Sequence, residues 1–495
     1  NQFYNGARCC PTRATLMTGL HPHQVGVGHM TLAIRNKMQA TGKMRGVFPL
    51  SQEDRAGIPA SYQGWLDTAI PTLPEMLQRA GYGTYLAGKW HLASDRPETW
   101  PLQRGFDRFY GHLAGTSDYF EPTHLFRGNI PISASGERYY LTDAITDEAI
   151  DFLSDHLKER DDNPFFLYLS FNAPHYPMQC MPEDFEKYRG RFMEGWDVLR
   201  EKRLRKQKEM GLVPINTRLA PRPETVPAWD TLEPQKQNEM DAIMATYAAI
   251  IDRVDQNIGK LLRFLEQSSH LENTLIFFLS DNGAEAETGA LGQFEFADLG
   301  QYGKGGWKYG KGWATLSNTP FREYKHFTHQ GGAQTPMISH WPQKIPPGRV
   351  ISQIGYLPDI VATCMEVSGA ARPTLVQGKP LPEIDGVSLV DFLSGNPDPI
   401  HRDPIFVEHE GNRIARHGKW KLVSFFNKPW ELYDMERDRS ESDDLVEKRP
   451  EVALRLQKAY DQWANRCGVI PWEVAKGFSV YAMARKKAEA EAEGK

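Results

Sequence analysis

The sequence predicts an α/β fold: a large central, mostly parallel sheet sandwiched by helices, then a smaller C-terminal subdomain built on an antiparallel sheet and a helix. Three observations predict it. Short apolar runs at 82–87, 165–171, 274–280 and 337–340 each end in polar or Gly-rich residues, the pattern of buried strands. Helical periodicity fills the intervals at 73–79, 141–158 and 238–265, the last with Ile250, Val254, Ile258 and Leu261 along one face. Strands alternating with helices imply a parallel sheet covered on both faces. From about Asp403 the texture changes to short, turn-separated segments at 404–408, 412–416, 420–425 and 430–433, an antiparallel meander closed by a helix at 451–466. The chain is thus expected to divide into an α/β domain over 1–400, the antiparallel subdomain over 401–480 and a charged tail over 481–495.

Composition narrows the function classes. The 495 residues are 40% hydrophobic and 24% charged, the balance of a folded globular chain. A net charge of -5 offers no global basic field, so no nucleic-acid partner is expected. Five cysteines are too few, and odd in number, for a disulfide framework. No apolar run approaches the roughly 18 residues that span a bilayer. The locally basic stretch 189–208 contains Glu194, Asp197, Glu201 and Glu209 and reads as a solvated helix face rather than an anion patch. Residues 288–319, dense in Gly, Trp and Lys, read as a long loop near strand ends. Glu285 and Glu287 just before it read as solvated, and so do Lys304, Lys308 and Lys311 within it, although those lysines are also candidate anion ligands.

In parallel sheets, ligands bind beyond the carboxyl ends of strands, where Lys89, His91, His175, Asp281 and Asn282 fall. The stretch that decides the chemistry is Cys9-Cys10-Pro11-Thr12-Arg13-Ala14-Thr15-Leu16-Met17-Thr18-Gly19. A free thiol beside Arg8 and Arg13, ahead of a helix, sits in a field that favours a thiolate or a bound anion. The rival reading is a small buried cysteine pair. Asp281-Asn282-Gly283 likewise reads as hard oxygen ligands or as a plain turn, and any single histidine is more often structural than catalytic.

The stretch resembles the signature of the type I, formylglycine-dependent sulfatases of the alkaline phosphatase superfamily: Cys-x-Pro-Ser/Thr-Arg followed by Leu and Thr-Gly. Gly88-Lys89-Trp90-His91-Leu92, Asn172-Ala173-Pro174-His175, Ser280-Asp281-Asn282-Gly283, Thr319-Pro320-Phe321-Arg322, Lys325 through Gly332 and Gly418-Lys419-Trp420-Lys421 are similar to further segments of that arylsulfatase-like family. The resemblance implies hydrolysis of a small-molecule or saccharide sulfate ester to alcohol or phenol plus sulfate. It implies that Cys9 is oxidised to formylglycine by a formylglycine-generating enzyme or an anaerobic maturase. Arg13 would hold the formylglycine hydrate, Lys89 the sulfate and that hydroxyl, and His91 would be the base. His175 would face the leaving oxygen and Lys325 would bind sulfate. Asp281 and Asn282, with the oxygens of the modified Cys9, would hold Ca²⁺ or Mg²⁺. Lys89 and His91, two apart, are expected to point the same way from an extended segment. His21 and His23 stay unassigned.

The resemblance also implies an apolar first strand ending in Asp-Asp, two further metal ligands. Asn1 to Arg8 contains no Asp, so several tens of residues are expected before Asn1, and the metal site is expected to be incomplete without them. Two other functions compete with sulfate ester hydrolysis. One is a phosphate or phosphonate monoester hydrolase of the same superfamily; the other is a non-catalytic binder of sulfated ligands, should Cys9 stay unmodified. Location is not legible: the resemblance favours periplasm or secretion and leaves the cytoplasm open. The sulfate ester and the oligomeric state have no readable code.

Overall fold

Each strand that carries a site residue is followed by a polar loop, and the helices between strands cover two sheet faces. The computed structural model describes residues 1–31, 57–160, 163–396 and 404–478. The larger part begins with β1 (Gln2–Tyr4) and α1 (Cys9–Thr18), then α2 (Leu73–Arg79), β2 (Gly83–Lys89), β3 (Arg108–His112), β4 (Leu125–Arg127) and β5 (Ile130–Ile132). It continues with α3 (Leu141–Glu159), β6 (Phe165–Ser170), α4 (Gly195–Glu209), α5 (Pro234–Gln267), β7 (Ile276–Leu279) and α6 (Gly310–Ser317). It closes with α7 (Gln330–Ala333), β8 (Gln334–Thr335), β9 (Met337–His340), β10 (Ile354–Tyr356) and α8 (Leu357–Ser368). No helix among the described residues is long and apolar enough to cross a membrane.

Strand β2 sits between β3 and β6, parallel to both, and β4 and β5 extend the β3 edge antiparallel. β7 pairs with β9 antiparallel, while β1 runs between parallel β10 and antiparallel β8. The sheet structure is therefore mixed around a parallel centre. β1 is an addition to the sequence reading, which assigned no element ahead of Cys9. All of β2 is buried, and alternation sends its side chains to opposite faces. Tyr85 and Ala87 pack on Leu141, Ile145, Ala149 and Phe152 of α3. Leu86 packs on the other face with Cys10, Ala14 and Met17 of α1. Gly88 takes φ +119°, and a Cβ there would lie 1.9 Å from the Ser170 carbonyl oxygen. Only glycine lets β2 and β6 approach this closely at the end that bears Lys89.

Local signals set the helix ends. Thr72 accepts from Glu75 N while the Glu75 carboxylate accepts from Thr72 N, so α2 starts on a capping box with Pro74 in its first turn. Helix α4 covers most of the basic stretch, but it is not wholly solvated. Arg200 is buried and donates to Ala220 O at 2.6 Å, and Arg203 donates to Leu316 O at 2.9 Å. Both point inward because main-chain carbonyls there accept from them.

Beyond a small hairpin of β11 (Leu375–Val376) and β12 (Lys379–Pro380) lies a four-stranded antiparallel meander: β13 (Ile405–His409), β14 (Asn412–His417), β15 (Trp420–Ser424) and β16 (Glu431–Asp434). Helix α9 (Pro450–Cys467) lays Leu456, Tyr460 and Trp463 on Phe406, Ala415, Leu422 and Leu432, and α10 (Trp472–Phe478) follows. The expected boundary at 400/401 and the tail at 481–495 lie outside the described residues. The opposite face of the meander meets the α/β part: Val407 and Ile414 pack with Tyr4, Ala333 and Tyr356. Within this seam Lys421 Nζ lies 2.5 Å from Glu441 Oε1, both side chains fully buried. The pair converges on α7: Lys421 donates to Gln330 Oε1 at 3.0 Å, and Glu441 accepts from Gln330 N at 2.8 Å.

Removing one partner of a buried pair leaves an uncompensated charge in low dielectric. Lys421→Met is expected to cost about 3–5 kcal/mol in urea unfolding, and K421M/E441Q much less than the sum of the two single changes. A double-variant cost equal to the sum of the two single costs would show that the pair is not coupled.

Candidate active site

Helix α1 begins at Cys9, after Arg8 in extended conformation. Its first-turn N–H groups have no intrahelical partners, which leaves partial positive charge at residue 9. Thr12 fixes this end: Gly6 N donates to its Oγ1 at 2.9 Å, and that hydroxyl donates to Asp281 O at 2.7 Å. One turn in, Arg13 is buried and uses its whole guanidinium. Nε and Nη2 donate to Asp281 Oδ2 at 3.2 and 3.0 Å. Nη1 donates to Lys89 O at 2.8 Å and Tyr168 Oη at 3.2 Å, and also to Ser170 Oγ. Arg13 thereby joins α1, the end of β2, the end of β6 and the loop after β7.

That loop is pressed against α7. A Cβ on Gly283 would lie 1.7 Å from Gly331 O, so glycine alone allows the approach. Within the loop, Asn282 Nδ2 donates to Gly283 O, while Asn282 Oδ1 is buried without a hydrogen-bond partner. An orphaned carbonyl oxygen beside a carboxylate is two hard donors side by side.

Lys89 and His91 are buried, 2% and 3% exposed. The segment that carries them is not extended throughout, as the sequence reading expected it to be. β2 ends at Lys89, and His91 takes φ +58°. Its N–H donates to Leu113 O, so the turn continues the pairing with the strand beside it. Both nevertheless converge on Cys9: a ring nitrogen of His91 and the sulfurs of Cys9 and Cys10 lie within 4.8 Å of one another. A hydrogen bond from Cys10, with the charge of Lys89 and a hydrogen bond from His91, holds the Cys9 thiol well below its ordinary range despite burial. Burial lowers Lys89 to about 8 and His91 to about 4.

His175 and Lys325 meet on a second wall. His175 Nδ1 faces Tyr176 O at 3.0 Å, which leaves Nε2 to accept from Lys325 Nζ at 3.1 Å. Burial and the charges of Lys325 and Lys89 hold His175 well below its usual range. Lys325 is itself 4% exposed, and its N–H donates to Ala284 O, two residues past Asn282.

Other polar residues fall out differently from the sequence reading. Lys308 is buried and lies 3.2 Å from Glu285 and 3.3 Å from Glu287, with its ammonium 4.4 Å above the Tyr176 ring. Glu287 also binds Arg8. Arg8, Lys325 and Lys308 hold its carboxyl at about 2 against the effect of burial. These acids are thus ion-paired beside the site rather than solvated, because the Gly-rich loop folds back over them. Lys304 stays exposed against Asp298. His21 pairs with Asp385 at 2.8 Å and His23 with Glu408 at 2.7 Å, both toward the C-terminal part. Sequence reasoning missed Thr12, Tyr168 and Ser170; the signal for the last two was their place at the end of the run 165–171.

A model described as Sulfatase matches residues 1–370. The chain belongs to the sulfatase family. A second model, N-sulphoglucosamine sulphohydrolase, C-terminal, matches residues 322–463. An uncharacterized sulfatase of Schizosaccharomyces pombe is 31% identical over 94% of this chain and 87% of its own length. The arylsulfatase of Klebsiella aerogenes is 28% identical over 79% of this chain and 83% of its own. Among solved structures, Ps i-CgsB in complex with k-i-k-neocarrahexaose superposes with a TM-score of 0.64 at 24% identity, covering 94% of this chain and 84% of that one. BT4656 in complex with its substrate D-glucosamine-2-N,6-O-disulfate superposes at 0.61 and 22%, covering 96% and 91%. This sulfatase is a sulfuric ester hydrolase, and members of its family generally use a metal and a formylglycine.

Burial sets a testable acid response. His91 titrates at about 4 in the folded sulfatase and at about 6.5 in an unfolded chain. A base with a lowered folded pKa has no effect above pH 6.5. It destabilises as pH falls toward 4, because the unfolded chain takes the proton first. Urea midpoints are expected to drop across that window, and His91→Asn to flatten the slope by on the order of 3 kcal/mol at full titration. An unchanged slope in the variant would assign the acid response to other groups.

Proposed function

We propose that this sulfatase cleaves its ester with a formylglycine made from Cys9 and one hard divalent ion, Ca²⁺ or Mg²⁺, held in part by Asp281 and Asn282. The observation that carries the reading is the meeting of Arg13, Lys89 and His91 around residue 9, with the His175–Lys325 contact opposite. Residue 9 suits the modification: it is small, buried and at the positive end of α1. The donor pair suits the ion, since the Asn282 Oδ1 lacks any partner beside the Asp281 carboxylate. Ca²⁺ takes roughly six to eight oxygens, so these two are part of its shell.

When present, formylglycine supplies as its hydrate both a nucleophilic hydroxyl and a second hydroxyl through which sulfate can be expelled. The ion, when bound, draws charge from sulfate oxygens and from that hydroxyl. The chain's own residues do the rest. Arg13 anchors the Asp281 carboxylate and orients the hydroxyl-bearing carbon of residue 9. Lys89 and Lys325 place positive charge against the sulfate oxygens, which otherwise repel a nucleophile. His91, neutral at pH 7 because burial holds it at about 4, accepts the hydroxyl proton. His175 faces the leaving oxygen as its acid, with Nε2 held 3.1 Å from Lys325 Nζ.

For the substrate we infer a saccharide sulfate ester. The BT4656 structure holds a sulfated glucosamine and Ps i-CgsB a neocarrahexaose. In this chain Tyr176, next to His175, lies 5.1 Å from the Trp307 ring, an aromatic pair suited to a sugar face. The maturing partner is a formylglycine-generating enzyme or an anaerobic maturase acting on Cys9.

Peptide mass spectrometry across Cys9 is expected to show loss of the thiol in favour of the aldehyde. Cys9→Ala should lower kcat by more than about 10³-fold with the thermal melt preserved. His175→Gln should slow alkyl sulfates about 10²–10⁴-fold but 4-nitrophenyl sulfate far less, because that leaving group needs no proton. An unmodified thiol in fully active enzyme would sink the reading, and equal losses on both substrates would remove His175 from the acid role.

A further inference from the structure

Next to Lys325 the chain carries a second cluster that the hydrolytic reading does not use. His326 takes φ +90°, and its N–H donates to Ala7 O at 2.8 Å. Its ring meets the tip of the β13–β14 hairpin, where Glu410 (φ +51°) and Gly411 (φ +83°) make the two-residue turn between paired His409 and Asn412. His326 Nδ1 lies 3.2 Å from Glu410 Oε2, and His409 Nε2 lies 3.4 Å from Glu410 Oε1. One ligand-type atom from each of the three lies within 4.8 Å of the others. His326 Nε2 lies 3.4 Å from Asn412 Nδ2, which turns Nδ1 toward the carboxylate.

Two features lack an explanation in a purely structural cluster. His409 is fully buried; its Nε2 meets Glu410 Oε1 at 3.4 Å, and its Nδ1 has no hydrogen-bond partner. Glu410 is a largely buried carboxylate. Among the described residues its ion-pair partners are His29, His326 and His409, with no lysine or arginine. The guanidinium of this neighbourhood, Arg8, is hydrogen-bonded to Glu287 and acts on Glu410 through space, without an ion-pair contact. A carboxylate taken out of water needs a countercharge.

We propose that His326, His409 and Glu410 bind one divalent transition-metal ion of borderline softness, Zn²⁺ first among them. Two imidazoles and a carboxylate are a zinc donor set, with a fourth position left for water. One ligand atom from each of the three lies within 4.8 Å of the others, and bonds of about 2.0–2.2 Å in a tetrahedron would draw them to separations of roughly 3.3–3.5 Å. The set differs in kind from the hard oxygens of Asp281 and Asn282. His29 acts as a positioning residue: its Nε2 lies 3.0 Å from Glu410 Oε1, and its ring stacks on Trp472 at 4.8 Å. The ion clips the Lys325 loop to the C-terminal sheet.

The test uses the full chain, stripped with a chelator and titrated with Zn²⁺ alone. Metal content is read by inductively coupled plasma mass spectrometry and affinity by competition with a chromophoric chelator. A C9S/C10S variant removes the sulfur donors beside His91 and is expected to keep one Zn²⁺ per chain. His409→Ala and Glu410→Gln should weaken binding by more than about 100-fold, and His29→Phe by about 10–100-fold. The near-isosteric Glu410→Gln carries the test if circular dichroism shows His409→Ala to be misfolded, and Co²⁺ should give visible ligand-field bands that E410Q abolishes. No zinc uptake in C9S/C10S, or uptake unchanged by E410Q, would overturn the proposal and leave a hydrogen-bonded histidine cluster.

Discussion

One guanidinium holds the site together. Arg13 sits one helical turn from Cys9 and reaches Asp281, the Lys89 carbonyl, Tyr168 and Ser170. A rigid fork of five donors can satisfy partners in several directions at once, which a lysine cannot. Burying that charge is costly unless every donor is used and a carboxylate balances it, and here Asp281 does so. The same bonds bring the N-terminus of α1 to the ends of three strands. The pocket at residue 9 therefore depends on Arg13 for its shape as well as its charge.

The C-terminal sheet completes this arrangement from outside. Its buried pair, Lys421 and Glu441, converges on Gln330 at the start of α7, and α7 lies against the Asp281–Gly283 loop. The Lys325 loop lies between the two parts, held on one side by Ala284 and on the other by the hairpin that carries His409 and Glu410. Small and large parts of the fold are thus joined by a buried seam in which polar pairs sit among apolar side chains. Such seams tolerate little rearrangement, because each displaced group would be left unpaired. That rigidity keeps Lys325 against His175.

Much of this was legible in the chain. The run 337–340 and the helix 73–79 coincide with β9 and α2, since apolar periodicity and the Thr72–Glu75 capping box act over a few residues. The meander and its closing helix were equally readable, the strands from their turn spacing and the helix from the run 451–466. Less was legible where distance along the chain is large. Nothing near Lys308 announces that it folds inward onto Glu285 and Glu287, and nothing near Tyr168 or Ser170 announces Arg13. At Lys89–His91 the backbone was not legible: the strand ends at Lys89 and His91 takes a left-handed conformation.

By itself the sequence determined which chemistry is present: the Cys9–Gly19 signature, the lysines and histidines at strand ends, and the alternation that builds an α/β fold. These are local properties, set by residue type and short-range spacing. Only the tertiary structure decided which of those groups meet. It placed His91 on Cys9 through a turn, set Lys325 beside His175 across 150 residues, and gathered His326, His409 and Glu410 from two parts of the fold. The reason is physical: contacts between distant segments are fixed by the packing of whole elements and the pairing of buried charges, and no window of sequence contains either.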